Sequence, residues 1–289
     1  MRRTRSLLTV SAGALAAAAL GALGLVAAAP ASAAPRFAPE ASATLTPGVQ
    51  AYTAGAQCTT NFVFTDLDGA VYLGYAAHCA GTGESTDTDG CLTESLPLGT
   101  PVTFNRGGSL LSEGTQVGRG TLAYSSWSTM AEVGETDPDA CAYNDFALVK
   151  VDDGDVAQVN PTVPFFGGPD GLASGTAAGD TVSSYGNSSL RAGVTALAPK
   201  VGVSLGDTGN GWSTSLYTMT PGVPGDSGSG FLDADGNAFG VLSTLALAPL
   251  PASNGVGHLV NELTYAQARS GIPGLQLALG TRTFSPLAG

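Results

Sequence analysis

The sequence predicts an all-β protein, a barrel or sandwich of many short strands. Three observations point there. The 289 residues include 41 glycines and 17 prolines, a turn-rich composition. From Phe62 onward, short apolar stretches alternate with turn signals at fairly regular spacing. A good helical pattern occurs only near the end of the chain. Charged residues make up only 12% of the sequence, which suggests compact structure rather than disorder.

Taken in order, Asn61–Thr65 reads as a strand and Asp66-Leu67-Asp68-Gly69 as a tight turn. Val71–Tyr75 returns as the second arm of a hairpin. Val102–Phe104, Gln116–Leu122 and Phe146–Val151 continue the pattern, and Asp152-Asp153-Gly154-Asp155 breaks it. Residues 161–180, rich in proline and glycine, read as a link between two halves. Strand-like segments resume at Thr181–Tyr185, Leu216–Met219, Gly230–Leu232 and Phe239–Leu245. Leu259–Ala268 has helical spacing and stops at Ser270-Gly271. The expected organisation is a leader at 1–33, a short N-terminal segment at 34–50, a first unit at 51–160, the link at 161–180, and a second unit at 181–289 carrying the helix and tail.

The leader is read from a basic start containing Arg2, Arg3 and Arg5, an apolar run from Leu7 to Ala29, and Ala31-Ser32-Ala33. That is the pattern of a secretory signal peptide, so a secreted, extracellular protein is expected; the alternative is an uncleaved membrane anchor, since the run is long enough to span a bilayer. No later segment is apolar enough to span a membrane. Removing the leader leaves eight of the 11 basic residues against 23 acidic ones, a formal charge of −15. So acidic a chain lacks the basic patch a nucleic-acid partner would need.

Four cysteines in an exported chain suggest two disulfides. Three pairings are possible. The preferred one is Cys58–Cys79 with Cys91–Cys141, because the first bridge would hold the loop leading to His78. With no Cys-x-x-Cys pair and two histidines in all, no metal or other cofactor is expected.

Three motifs could carry chemistry. They are Ala76-Ala77-His78-Cys79, Asn144-Asp145-Phe146-Ala147-Leu148-Val149, and Gly225-Asp226-Ser227-Gly228-Ser229-Gly230. A serine, a base and a carboxylate that orients the base are the parts acyl transfer needs. Ser227 would be the nucleophile, His78 the general base and Asp145 the orienting acid. The glycines around Ser227 let the backbone turn sharply and leave the hydroxyl exposed. The stretch is not a Gly-x-Ser-x-Gly nucleophile elbow, because Ser229 holds the last position. His258 lies outside these motifs and is read as structural.

These motifs, in the order His, Asp, Ser, resemble those of chymotrypsin-like serine proteases, of the secreted bacterial kind related to streptogrisin and α-lytic protease. The resemblance runs from about Ala54 to about Gln267. It implies two packed antiparallel six-stranded β-barrels with a short C-terminal helix. His78 and Asp145 would come from the first barrel and Ser227 from the second. It implies a serine endopeptidase that acts as a monomer on protein or peptide substrates and can be a target for a proteinaceous inhibitor. The alternatives are a protein of the same fold that binds without efficient catalysis, and an esterase on this fold, since the same acyl chemistry cleaves esters. By position, the N–H groups of Gly225 and Ser227 would form the oxyanion hole, and Ser243 would hydrogen-bond Asp145 and line the pocket. Pro221, Leu245 and Gly255 would complete the substrate pocket. Pro221 offers no acid to attract Arg or Lys, and Leu242 stands where glutamate-specific relatives have histidine. A neutral, small or apolar side chain is therefore expected.

The sequence departs from the family at Asp226. The Ile-Val-Gly-Gly start, which would supply an N-terminal ammonium as its partner, is absent. Some bacterial relatives use a buried arginine instead. Ser184 stands near that position here, and Arg191 is the candidate replacement. Residues 34–47 are also too few for a folding prodomain like those of the best-known relatives.

Overall fold

The computed structural model describes residues 35–83, 88–246 and 251–286. The expected leader lies outside them. No helix among the described residues is long and apolar enough to cross a membrane.

The strands in chain order are β1 (Gln50–Thr53), β2 (Ala56–Thr59), β3 (Val63–Thr65), β4 (Val71–Tyr75), β5 (Pro101–Arg106), β6 (Thr115–Ser125) and β7 (Ala147–Val151). They continue as β8 (Gly171–Leu172), β9 (Thr181–Tyr185), β10 (Pro199–Asp207), β11 (Ser213–Thr218), β12 (Gly230–Leu232), β13 (Asn237–Leu245), β14 (Asn254–His258) and β15 (Gln276–Leu277). The helices are α1 (Ser126–Val133), α2 (Pro138–Tyr143) and α3 (Leu259–Arg269).

Two antiparallel barrels result, the chymotrypsin-like arrangement. In the first, β2 and β3 are two halves of one bent segment. The front half pairs with β1 and the back half with β4. The ring then runs β4–β7–β6–β5–β1 and closes. In the second, β9, β10, β11, β14, β13 and β12 close on themselves through the β12–β9 and β12–β13 ladders. The first core is filled by Phe62, Phe64, Tyr75, Phe104, Tyr124 and Phe146, and the second by Val182, Leu216, Phe231, Phe239 and Val256. Burial of side chains this large dominates the favourable free energy of each barrel.

Several elements differ from the sequence expectation. The β1–β2 hairpin and β10 are strands that the sequence does not single out, because glycine and polar residues interrupt their apolar pattern. Helix α1 lacks a clear apolar stripe, yet its ends are marked. The Ser125 side chain accepts the Ser128 N–H, and Gly134 closes it at φ +65°. The tail, expected with the second barrel, sends β15 to pair with β3 of the first. Within the expected link, β8 runs parallel to β13.

The first barrel sets two of the site residues beside one another. Tyr75 at the end of β4 lies opposite Ala147 at the start of β7. The chain therefore leaves β4 toward His78 and enters β7 from Asp145 at the same barrel edge. The disulfides are Cys58–Cys79 and Cys91–Cys141. The first ties β2 to the turn holding His78, and the second ties the loop before β5 to α2. They close loops with sequence separations of 21 and 50 residues. Chain-entropy reasoning gives stabilisations of about 3 and about 4 kcal/mol. Urea unfolding of the Cys58→Ala/Cys79→Ala and Cys91→Ala/Cys141→Ala double variants should reproduce those losses, the second being the larger.

Candidate active site

His78 sits in a single 3-10 turn, Ala77–Ala80, directly after β4. Its Nδ1 lies 2.6 Å from Asp145 Oδ2, and its backbone N–H donates to Asp145 Oδ1 at 2.8 Å. Ser243 Oγ–H donates to Asp145 Oδ2 at 2.5 Å. Ser243 is the extra residue in a β-bulge of β13, because Leu242 pairs with Val256 and Thr244 with Gly255. A bulge re-aims a side chain, and here it turns the hydroxyl onto Asp145.

The asymmetry of burial matters. Asp145 is 4% exposed at its side chain and His78 27%. Burial pushes the Asp145 carboxyl up, but the charge and hydrogen bond of His78, with the Ser243 hydroxyl and the His78 N–H, bring it below its ordinary value. Burial pulls the His78 imidazole down. The charge and hydrogen bond of Asp145 outweigh that and leave it raised.

Ser227 occupies the loop between β11 and β12 and faces the same cleft, of about 540 Å³, as His78 and Asp145. No direct Ser227–His78 hydrogen bond is present among the described residues; such bonds often tighten only when substrate binds. The loop is docked on the first barrel. Thr59 N–H donates to the Ser227 carbonyl at 2.9 Å. Gly228, at φ +87°, lies so close that a Cβ there would be 2.6 Å from Thr59 O and 2.7 Å from Ala76 N. Glycine is therefore required at 228. The turn carrying the serine presses on the turn carrying the histidine.

Gly225 has φ +92°, and a Cβ there would strike Gln57 Oε1 at 2.2 Å. Its carbonyl accepts Thr59 Oγ1 at 2.7 Å and Gln57 Nε2 at 3.0 Å. The preceding carbonyl, of Pro224, accepts Ser188 Oγ at 2.6 Å. In a trans peptide this turns the Gly225 N–H away from Ser188. Neither that N–H nor the one of Ser227 is hydrogen-bonded among the described residues.

The partners of Asp226 are two cations. Asp226 is fully buried, and its Oδ2 accepts Arg191 Nη2 at 2.5 Å and Lys200 Nζ at 2.9 Å. Its carboxylate also takes the N–H groups of Ser188 and Val223 at 3.0 and 3.1 Å. Lys200 is itself fully buried and lies directly across the β9–β10 ladder from Ser184. The cation thus comes from the strand facing the position where an arginine was looked for. Burial lowers the Lys200 ammonium below its ordinary value; Asp226 counters that and Arg191 adds to it. Sequence reasoning missed Lys200 because a lone lysine between Pro199 and Val201 looks like a surface residue.

Leu245, Ser243 and Leu242 line the cleft with Gly222, Val223 and Asn254. Pro221 and Gly255, expected in the pocket, are not in its lining. The Pro221 carbonyl points back to Arg191 and Lys200, at 2.9 and 3.4 Å. Gly255 is backed by Thr244, whose Oγ1 would lie 2.4 Å from an added Cβ. Asn254 joins the two pocket walls instead. Its side chain bonds the Gly222 N–H at 2.8 Å, the Gly222 carbonyl at 3.3 Å and the Thr244 carbonyl at 3.2 Å. Trp127, with its ring centroid 6.3 Å from that of His78, was also not foreseen in the lining. His258 lies elsewhere. Its ring is held by the Gly211 carbonyl and Thr214 Oγ1, each at 2.7 Å.

The Asp226 cluster yields a test. Asp226→Ala leaves two buried cations without their anion, and should cost about 3–5 kcal/mol. Lys200→Met keeps the Arg191–Asp226 pair, and should cost under about 1.5 kcal/mol. Denaturant unfolding of both variants checks the order.

No protein-family profile and no curated protein matches this sequence. Solved structures do align with most of the chain. Protease A of Thermobifida fusca is 18% identical, with a TM-score of 0.49, over 82% of this chain and 99% of its own. A Nocardiopsis protease is 18% identical, with a TM-score of 0.45, over 81% and 98%. A chymotrypsin of Cellulomonas bogoriensis is 17% identical, with a TM-score of 0.40, over 81% and 98%.

Proposed function

We propose that the protein is a secreted serine endopeptidase that hydrolyses peptide bonds through an acyl-enzyme on Ser227. The observation that carries the proposal is the Ser243–Asp145–His78 hydrogen-bonded chain, which opens on the cleft containing Ser227. His78 Nε2 takes the Ser227 proton as Oγ attacks the substrate carbonyl, then returns it to the leaving amine. Water, activated by the same imidazole, hydrolyses the acyl ester and restores Ser227. Asp145 holds the tautomer with Nδ1–H and stabilises the imidazolium between the two proton transfers. The Gly225 and Ser227 N–H groups receive the oxyanion, a contact that gains strength as charge develops.

The exported state is read from the leader motif and agrees with two disulfides. The substrate is a protein or peptide, and the enzyme works as a monomer.

A fluorophosphonate probe tests the chemistry. The folded wild type should label once, at Ser227, by intact-mass spectrometry, while Ser227→Ala and His78→Ala should not label. The rate of labelling should rise with pH through a limb above about 6.5, because Asp145 holds the imidazole protonated beyond its ordinary range. In Asp145→Asn burial acts without the opposing charge, so that limb should move down and the rate fall by about 10⁴. A folded wild type that fails to label would favour a binding protein of this fold.

The pocket reading gives a second expectation. A Cβ at Gly222 would stand 2.8 Å from Leu242 and 2.9 Å from Asn254, so the pocket wall is closely packed at this glycine. Every polar atom of Asn254 is used within the wall. Peptides with a small neutral or apolar residue before the scissile bond should be cut at least tenfold faster than those with Arg, Lys or Glu, measured as kcat/KM on a matched series.

A further inference from the structure

The proposed triad leaves one buried acid unused. Glu262, on the first turns of α3, is fully buried. Its Oε1 accepts the backbone N–H of Asp145 at 3.2 Å. The carboxyl fits a gap left by Gly257 of β14, where a Cβ would lie 2.4 Å from Oε1. Glu262 is thus wedged between a strand of the second barrel and the segment that delivers Asp145. Its Oε2 makes no hydrogen bond, and no cation lies within ion-pair distance of it, among the described residues.

The groups facing it argue against a second anion. Asp145 is the nearest charge, from the α2–β7 connection, and Tyr124 of β6 faces it as a neutral phenol. Arg269, farther along α3, lies over the Tyr265 ring at 5.1 Å and makes no ion pair with Glu262. Two close buried carboxyls without a cation between them cannot both ionise cheaply. Asp145 has His78 and three hydrogen bonds, whereas Glu262 has one. The proton therefore belongs on Glu262. Burial and the Asp145 charge both push its carboxyl well above the usual range, in agreement.

We infer that Glu262 is a positioning residue for the triad: an uncharged carboxyl that pins the main chain at Asp145 from the second barrel. It rests on the reading of His78 and Asp145 as base and orienting acid, and it extends that reading to a residue that never touches substrate. Because Glu262 is neutral, it fixes where the Asp145 charge sits without adding a charge that would raise His78 further.

The test uses the full exported protein and reads His78 by nuclear magnetic resonance, so it does not need activity. The chain has only two histidines, and His258 serves as an internal reference. Glu262→Gln swaps one neutral acceptor for another. It should leave the His78 pKa within about 0.3 unit of wild type and keep the low-field Nδ1–H resonance of the His78–Asp145 bond. Glu262→Leu removes the acceptor, and should broaden or abolish that resonance while the protein stays folded by circular dichroism. In turnover, kcat should stay within about threefold for Glu262→Gln and fall about tenfold for Glu262→Leu, with KM unchanged. A drop of a full unit in the His78 pKa of Glu262→Gln would show an ionised Glu262 and overturn the inference. So would a Glu262→Leu protein with an intact Nδ1–H resonance. If Glu262→Leu does not fold, Glu262→Asp, which shortens the reach, should weaken the same resonance; an unaltered one overturns the inference. A wild type that neither labels nor turns over would overturn the protease reading, while the resonance measurements would still decide the role of Glu262.

Discussion

The buried ion pair at Asp226 is the constraint on which the site depends. Asp226 immediately precedes Ser227, so whatever fixes its carboxylate also fixes the turn that presents the hydroxyl. Two cations and two backbone N–H groups converge on it. An isolated carboxylate at zero exposure would cost several kcal/mol in desolvation, and that penalty enforces the geometry. Any movement that withdrew Asp226 from Lys200 and Arg191 would strand charge in the protein interior. The cations also reach the carbonyls of Thr220 and Pro221. The segment from 220 to 227 is therefore folded around a point charge rather than around an apolar core.

The other half of the site is built on shape. Strand pairing brings His78 and Asp145 to one edge of the first barrel, and a glycine at 228 lets the serine turn settle against them. The disulfide from β2 to Cys79 holds the turn between the two surfaces. Charge thus orders the loop internally, and steric contact sets its place against the base. Neither alone would align a hydroxyl from one barrel with an imidazole from the other.

The legible parts of this protein were those where chemistry concentrates in a few adjacent residues. His78, Asp145 and Ser227 each announce themselves within a short run, and the strands flanking them are marked by short apolar stretches. Lys200 was illegible because its meaning lies across a ladder. Only the pairing with Ser184 shows that it points inward. Glu262 looks like the polar face of an amphipathic helix until Gly257 is seen to leave room for it. Asn254 replaced Gly255 in the pocket wall for a similar reason, since which residue of a strand faces a cleft depends on a bulge in its neighbour. In each case the missing information was a contact between segments distant in sequence.

The Glu40–Arg282 pair joins two segments far apart in sequence. Arg282 forks onto the carboxylate through Nε and Nη2 at 3.0 and 2.9 Å. Nearby, Ala38 N–H binds the Val159 carbonyl and Gly168 N–H binds that of Arg282. The segments near Glu40 and Arg282 therefore lie side by side, and neither lines the cleft. In topological terms the described chain from Glu40 to Arg282 is nearly a closed ring with its seam at that pair. A ring of this kind can be cut elsewhere and spliced at the seam with a short linker, and the barrels would keep their order. The stretch around Glu40 thus behaves as a hem that adds no residue to the lining of the cleft around Ser227.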